Sequence, residues 1–134
     1  MRLLKSNSQD TVGILSEGYG TEKVSYGLNP KDVSFSRVKR VPLLRRLQSQ
    51  STFWTNSPVV FDYPVDIMHT FNELPIGIRP YVVSFENELP RYLGTTSKWQ
   101  MEFGFDRLSS KRCGKLLALS DAARFTFNKK ATEL

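Results

Sequence analysis

The feature that most constrains the fold is a short apolar run in the second half of the chain, residues 80–86, with an unbroken Tyr-Val-Val centre. Such a run is typical of a strand buried on both faces of a parallel sheet. Residues 65–71 and 115–119 have the same character, and residues 97–112 suit a helix. Because strands alternate with helical segments, the sequence predicts an α/β protein with a parallel sheet.

The first part of the chain is less clearly organised. Residues 12–15 predict a short strand, and the turn after it does not complete a G-x-G-x-x-G phosphate loop, because Lys23 stands where the third glycine would be. Residues 38–50 predict a helix with Pro42 in its first turn. We expect residues 1–53, an unassigned part with a basic segment, to belong to the same domain as residues 54–134.

Positive charge is concentrated in this first part. Residues 1–60 hold nine of the 19 Lys and Arg residues but four of the 13 Asp and Glu residues. A basic face attracts phosphate-rich partners, whether nucleic acid, an anionic membrane or a nucleotide-sugar. No aromatic and basic RNA-binding motif is present, which disfavours nucleic acid as a partner. One hypothesis is a helix on anionic lipid, with Arg40, Arg45 and Arg46 near the phosphates; the alternative is an ordinary surface helix with a solvated basic side.

The compartment is inferred from what the sequence lacks. The single cysteine, Cys113, cannot form an internal disulfide, no apolar run approaches the ~20 residues of a membrane span, and residues 1–5 turn polar too soon for a signal peptide. We therefore expect a cytoplasmic protein, with peripheral contact to the inner membrane face if the basic segment binds lipid. One histidine and one cysteine do not form a zinc site, so we predict no metal.

Polar side chains follow the predicted strands at the places where ligands usually bind. His69 and Glu86 stand near the carboxyl ends of two predicted strands, and Ser120 follows a third. A neutral imidazole can accept a proton from an incoming hydroxyl and a carboxylate can orient it, so His69 and Glu86 are candidate catalytic residues. Asn72 offers a hydrogen-bond donor and an acceptor at the same edge. The alternative is that His69 only closes the strand end by bonding to backbone.

Neighbouring polar residues have competing interpretations. Arg91 could hold a phosphate group or form a surface ion pair with Glu88. Glu86 and Glu88 could form a carboxylate pair for acid–base work, which would need a defined separation across a sugar. Ser120 could contact a substrate or cap the helix predicted to begin at Asp121.

Three stretches carry a resemblance to a known family. Residues 66–75 read DIMHTFNELP, residues 81–91 read YVVSFENELPR, and residues 110–124 read SKRCGKLLALSDAAR. Together they resemble the amino-terminal domain of GT-B-type glycosyltransferases, of a family 4-like kind, over roughly residues 54–125. The resemblance implies a Rossmann-like parallel sheet that forms half of a GT-B architecture and faces a second, donor-binding half across a cleft.

Members of this family transfer a sugar from a nucleotide donor to an acceptor hydroxyl, usually without a bound metal. The resemblance therefore implies a nucleotide-sugar as co-substrate, no cofactor, and a glycan or lipid-linked acceptor. It raises the expectation that His69 and Glu86 act in catalysis and that Asn72, Arg91 and Ser120 bind substrate. Residues 54–134 would then be an acceptor-side domain truncated before the donor domain, and inactive alone. The alternative is a catalytically silent binding or scaffold protein of the same fold.

Overall fold

A computed structural model describes residues 9–15, 32–41 and 51–133 of the chain. Within these residues the fold consists of five strands and three helices. In chain order they are β1 (Asp10–Ile14), β2 (Val33–Arg37), α1 (Phe53–Asn56), β3 (Ile67–Phe71), β4 (Tyr81–Phe85), α2 (Lys98–Ser109), β5 (Cys113–Ala118) and α3 (Asp121–Thr132).

The five strands form one sheet in the order β2-β1-β3-β4-β5, and each neighbouring pair is parallel. The predicted parallel α/β fold, Rossmann-like in architecture, is thereby confirmed. The order has one topological consequence. Because β2 lies on one side of β1 and β3 on the other, the direction of winding reverses between β1 and β3, which is where open α/β sheets usually bind ligands.

Two strands of this sheet come from residues 1–53, although the sequence predicted only one strand there. The predicted helix over residues 38–50 is wrong at its start, because residues 38–41 run extended. Val41 N donates to Val59 O at 2.8 Å, and Arg40 forms an antiparallel bridge with Val60. The β-branched valines at 38 and 41 suit this extended backbone. Residues 42–50 lie outside the described residues.

The core is built mainly by the strands and the segments that flank them, with Ala123 of α3 buried in it and Leu108 of α2 packed against it. Tyr81, Val83 and Phe85 of β4 are at most 2% exposed, which confirms that this apolar run is the buried strand. Phe127 of α3 packs against Phe85, with ring centroids 5.6 Å apart. No helix of the part of the chain that the structure describes is long and apolar enough to cross a membrane.

Helix α2 approaches the rest of the fold through a glycine. A glycine weakens a helix interior, yet Gly104 is the buried residue of α2. A Cβ at this position would lie 2.8 Å from Pro90 Cβ and 2.9 Å from Tyr92 Cε2. Gly104 therefore lets α2 contact the loop that follows β4, the loop that carries Arg91.

Candidate functional site

The carboxyl end of β3 is shaped by a sharp turn. Asn72 has φ 57°, in the left-handed region that asparagine tolerates better than most residues. Its backbone N–H still donates to Ser84 O of β4, at 2.8 Å. Two residues earlier, Thr70 Oγ1 donates to Glu73 O at 2.7 Å and is itself buried. The turn therefore presents the side chains of Asn72 and Glu73 at the carboxyl edge of the sheet.

Three of the predicted site residues meet at this edge. Asn72 Oδ1 accepts a hydrogen bond from Glu86 N at 3.2 Å, and Asn72 Nδ2 donates to Glu86 Oε1 at 3.3 Å. Arg91 Nη1 donates to the same carboxylate oxygen at 2.9 Å. The carboxylate of Glu86 is thus held by two donors from different loops. We call these three residues the Asn72 cluster.

A second ion pair lies beside the Asn72 cluster and was not predicted. Arg40 Nη2 is 2.5 Å from Glu73 Oε1, and the two side chains are only 17% and 11% exposed. The guanidinium also donates to Thr55 O at 3.2 Å and to Leu15 O at 3.4 Å. Because Leu15 follows β1 and Glu73 follows β3, Arg40 joins the two strands at the topological switch point.

This position changes the interpretation of Arg40, which we grouped with Arg45 and Arg46 as a membrane contact. The guanidinium of Arg40 is committed to bonds within the fold, which argues against contact with lipid headgroups. Arg45 and Arg46 lie outside the described residues. Sequence reasoning missed the pair because a basic run such as Lys39-Arg40 is typical of a solvated face and because Glu73 was assigned to a turn. The bonds of Arg40 to Glu73 and to backbone join residues that are far apart in the sequence, so no local sequence pattern indicates them.

Between α1 and these clusters the surface forms an open depression with a volume of about 200 Å³. Its lining residues are Thr52, Thr55, Asn56, Phe71, Asn72, Glu73, Arg91 and Leu93. Most of them carry hydrogen-bonding side chains, whereas Phe71 and Leu93 are apolar, and Leu93 is 48% exposed. Asn56 Nδ2 donates to Thr52 Oγ1 at 3.1 Å and to Arg91 O, so one wall is tied to the Arg91 loop.

His69 lies inside β3 rather than at its end, because the strand continues to Phe71. Its Nε2 is 2.7 Å from Ser84 Oγ. Burial lowers the pKa of His69 below its ordinary value of 6.5, so the imidazole is neutral at pH 7. His69 is not among the residues that line the depression. Of the three residues predicted to share one cleft, the structure joins Asn72 and Glu86 directly and places His69 deeper in the sheet, against Ser84.

The remaining predicted residues have defined partners. Ser120 follows β5, and its Oγ accepts a hydrogen bond from Ala123 N at 3.0 Å, which confirms the predicted helix cap. Glu88 pairs with Lys130 at 3.1 Å rather than with Arg91. Glu86 and Glu88 are therefore each engaged by a different cation and do not act as one carboxylate pair.

Comparison with known proteins adds no family to this description. No protein-family model matches the chain, and neither a curated protein nor a solved structure matches it. The resemblance to GT-B-type glycosyltransferases therefore stays a prediction.

Proposed function

We propose that this chain is the acceptor-side half of a sugar-nucleotide-dependent glycosyltransferase of GT-B type. The observation that carries the proposal is the Asn72 cluster beside an open depression, at the carboxyl edge of an all-parallel sheet. Amide, carboxylate and guanidinium groups that are already held in place can orient a sugar hydroxyl without further ordering.

The lining of the depression fits a saccharide better than an apolar ligand. Sugar rings present hydroxyl groups at their edges and C–H groups on their faces. Asn72 and Glu73 offer both donors and acceptors for hydroxyls, while Phe71 and Leu93 offer apolar surface for a ring face. In a specific ligand site, placed polar groups fix the orientation of the ligand.

Transfer also requires an activated hydroxyl and a stabilised leaving group. In this proposal Glu86, held by Asn72 and Arg91, orients the acceptor, and neutral His69 assists through hydrogen bonding by way of Ser84. The nucleotide-sugar co-substrate would be held by a second, donor-binding domain, which also supplies the charge that stabilises the departing diphosphate. No cofactor is needed for this chemistry, and the acceptor would be a glycan or a lipid-linked saccharide.

Contact with an anionic membrane remains part of the proposal, in reduced form. It rested on a group of cations, each worth about 1 kcal/mol near an anionic surface. Arg40 no longer belongs to that group, so the contact rests on the other cations of the basic segment, with Arg45 and Arg46 foremost among them. Changing both to Glu should weaken binding to anionic liposomes sharply, and unchanged binding would remove the membrane contact from the proposal.

Saturation-transfer NMR of the purified chain tests the acceptor-side assignment. Two classes of ligand are compared. The neutral saccharides are methyl glycosides and disaccharides, and the nucleotide-sugars are UDP- and GDP-sugars. We expect saturation transfer to the neutral saccharides and none to the nucleotide-sugars. The Asn72→Ala, Arg91→Ala double variant should lose the saccharide signal, whereas Asp62→Asn, at an exposed ion pair with Arg79 near the start of β4, should keep it. Binding of nucleotide-sugars without saccharides, or of neither, would overturn the assignment.

A further inference from the structure

Among the described strands, the Arg40–Glu73 pair lies at the place in the sheet where topology favours a ligand. The winding reverses between β1 and β3, and the crevice beyond the carboxyl ends of those two strands is where such folds bind ligands. Arg40 bonds to Leu15 O, directly after β1, and to Glu73, directly after the turn that ends β3. The pair therefore lies at the switch point, and Glu73 also lines the depression.

The pair is not arranged as stability alone would arrange it. Burying both charged side chains of an ion pair costs desolvation free energy. A fold with apolar residues of similar size in their place is often at least as stable. Within the described residues, Arg40 Nε is buried and has no hydrogen-bond acceptor, which is a further unfavourable term.

The charges around the depression define the class of ligand. Glu73 and Arg91 line the depression, whereas their partners Arg40 and Glu86 are outside its lining. Each arginine is paired with a carboxylate at 2.5–2.9 Å, so two positive and two negative charges balance. Such a balanced set offers no net attraction for a phosphate, which is normally held by an excess of cationic donors. A carboxylate fixed by an arginine is instead a strong acceptor for ligand hydroxyl groups.

We infer that the Arg40–Glu73 pair is a hydroxyl-recognition element, in which the Glu73 carboxylate, fixed by Arg40, accepts hydrogen bonds from a single neutral sugar ring in the depression. This inference rests on the proposed function and names the subsite of the acceptor. Glu73 is the residue that contacts the ligand, and Arg40 is a positioning residue that acts through Glu73. The ring face packs on Phe71 and Leu93, and the amides of Asn56 and Asn72 bond to the remaining hydroxyls.

Titration of the ¹⁵N-labelled full chain with methyl glycosides of glucose, mannose and galactose tests the inference. We expect at least one glycoside to shift the backbone amides of Asn56, Asn72 and Glu73 together with the Nε–H signal of Arg40. Inorganic phosphate should leave these signals in place. Shifts centred elsewhere in the chain, or shifts at the depression produced by phosphate and not by the glycosides, would overturn it.

Two variants separate recognition from folding. Glu73→Gln keeps the size of the side chain but leaves Arg40 buried without a counter-charge, and it is expected to lower stability as well as binding. The Arg40→Gln, Glu73→Gln double variant removes both charges at once, which is far less costly to the fold. We expect this folded double variant to bind the glycoside at least tenfold more weakly than the natural chain, with Asp62→Asn unchanged.

The outcomes also distinguish this inference from the proposed function. If the double variant folds and binds the glycoside normally, the pair is structural and the inference is wrong, while the acceptor-side assignment survives. If the natural chain binds nucleotide-sugars instead of glycosides, the acceptor-side assignment fails first. If neither variant folds, the titration of the natural chain still tests the inference. A glycoside that shifts neither the Asn72 amide signal nor the Arg40 Nε–H signal does not bind at the pair, and the inference is then wrong.

Discussion

The two ends of the strands are built from similar residue types but are organised in opposite ways. At the carboxyl end, Arg91 is bound to a carboxylate beside an open depression. At the amino end, Arg107 stacks over the ring of Tyr81, 5.3 Å from its centroid, and donates to Pro75 O. Arg91 is thus held at an accessible surface, whereas Arg107 joins α2 to β4.

The phenol and the thiol at the amino end of the strands are also unreactive near neutral pH. Tyr81 Oη donates to Arg107 O at 2.7 Å, and burial raises the pKa of Tyr81 to about 12. Burial likewise raises the pKa of the Cys113 thiol, despite its hydrogen bond with Tyr81. A protonated phenol and a protonated thiol are poor nucleophiles near neutral pH. Polar residues therefore stabilise the amino end of the strands, whereas at the carboxyl end they border the depression that we propose as the ligand site.

The largest expected effect concerns the two arginines. Arg107→Ala removes a charge-assisted hydrogen bond and a cation–π contact, so the free energy of unfolding should fall by about 3 kcal/mol. Arg91→Ala removes an ion pair at a more open position and should lower it by about 1 kcal/mol or less. Urea unfolding measures both. Saccharide binding should show the reverse order, and equal losses of stability would remove the contrast between the two ends.

Substitutions at Gly104 and Gly114 test the same difference between the carboxyl and amino ends of the strands. Gly104→Ala places a methyl group against Pro90 and Tyr92 beneath the Arg91 loop, which should lower the unfolding free energy by about 2 kcal/mol. Gly114→Ala serves as the matched control at the amino end, because its Cβ would meet nothing closer than 3.6 Å. Thermal unfolding followed by circular dichroism compares the two. If Gly104→Ala is as stable as the natural chain, α2 does not hold the loop as described.

The smallest expected effect is a change in how the stability of the protein depends on pH. His69 is the only histidine, and burial lowers its pKa in the folded state. The unfolded chain therefore binds a proton more readily, so stability should be full above pH ~6.5 and should fall as the pH drops through the lowered pKa. Replacing His69 by Gln should flatten the stability profile between pH 7.5 and 5. A variant profile with the same slope as the natural chain would mean that His69 does not titrate as its burial requires.

The sequence predicted most of the sheet but only part of the site. The runs that became β3, β4 and β5 were recognisable because apolar residues end abruptly in turn residues, as Phe71 does before Asn72. β2 was missed because Val33–Arg37 has two apolar residues separated by serines and ends in an arginine, so it contains no continuous apolar run. The meeting of Asn72 with Glu86 followed from the strand ends, whereas Arg91 pairs with Glu86 and not with Glu88 as the sequence had suggested. The Arg40–Glu73 pair could not be predicted, because it depends on which strand lies beside which.

A transfer assay tests the central claim, that the carboxyl edge is the acceptor side of a sugar transferase, most directly. The full chain is mixed with the donor-binding half of a GT-B glycosyltransferase and with labelled nucleotide-sugars and saccharide acceptors. We expect labelled product only when both halves are present, a loss of at least tenfold in turnover for His69→Ala, and no product for the Asn72→Ala, Arg91→Ala double variant. Turnover by the chain alone, or turnover that survives in the double variant, would contradict it.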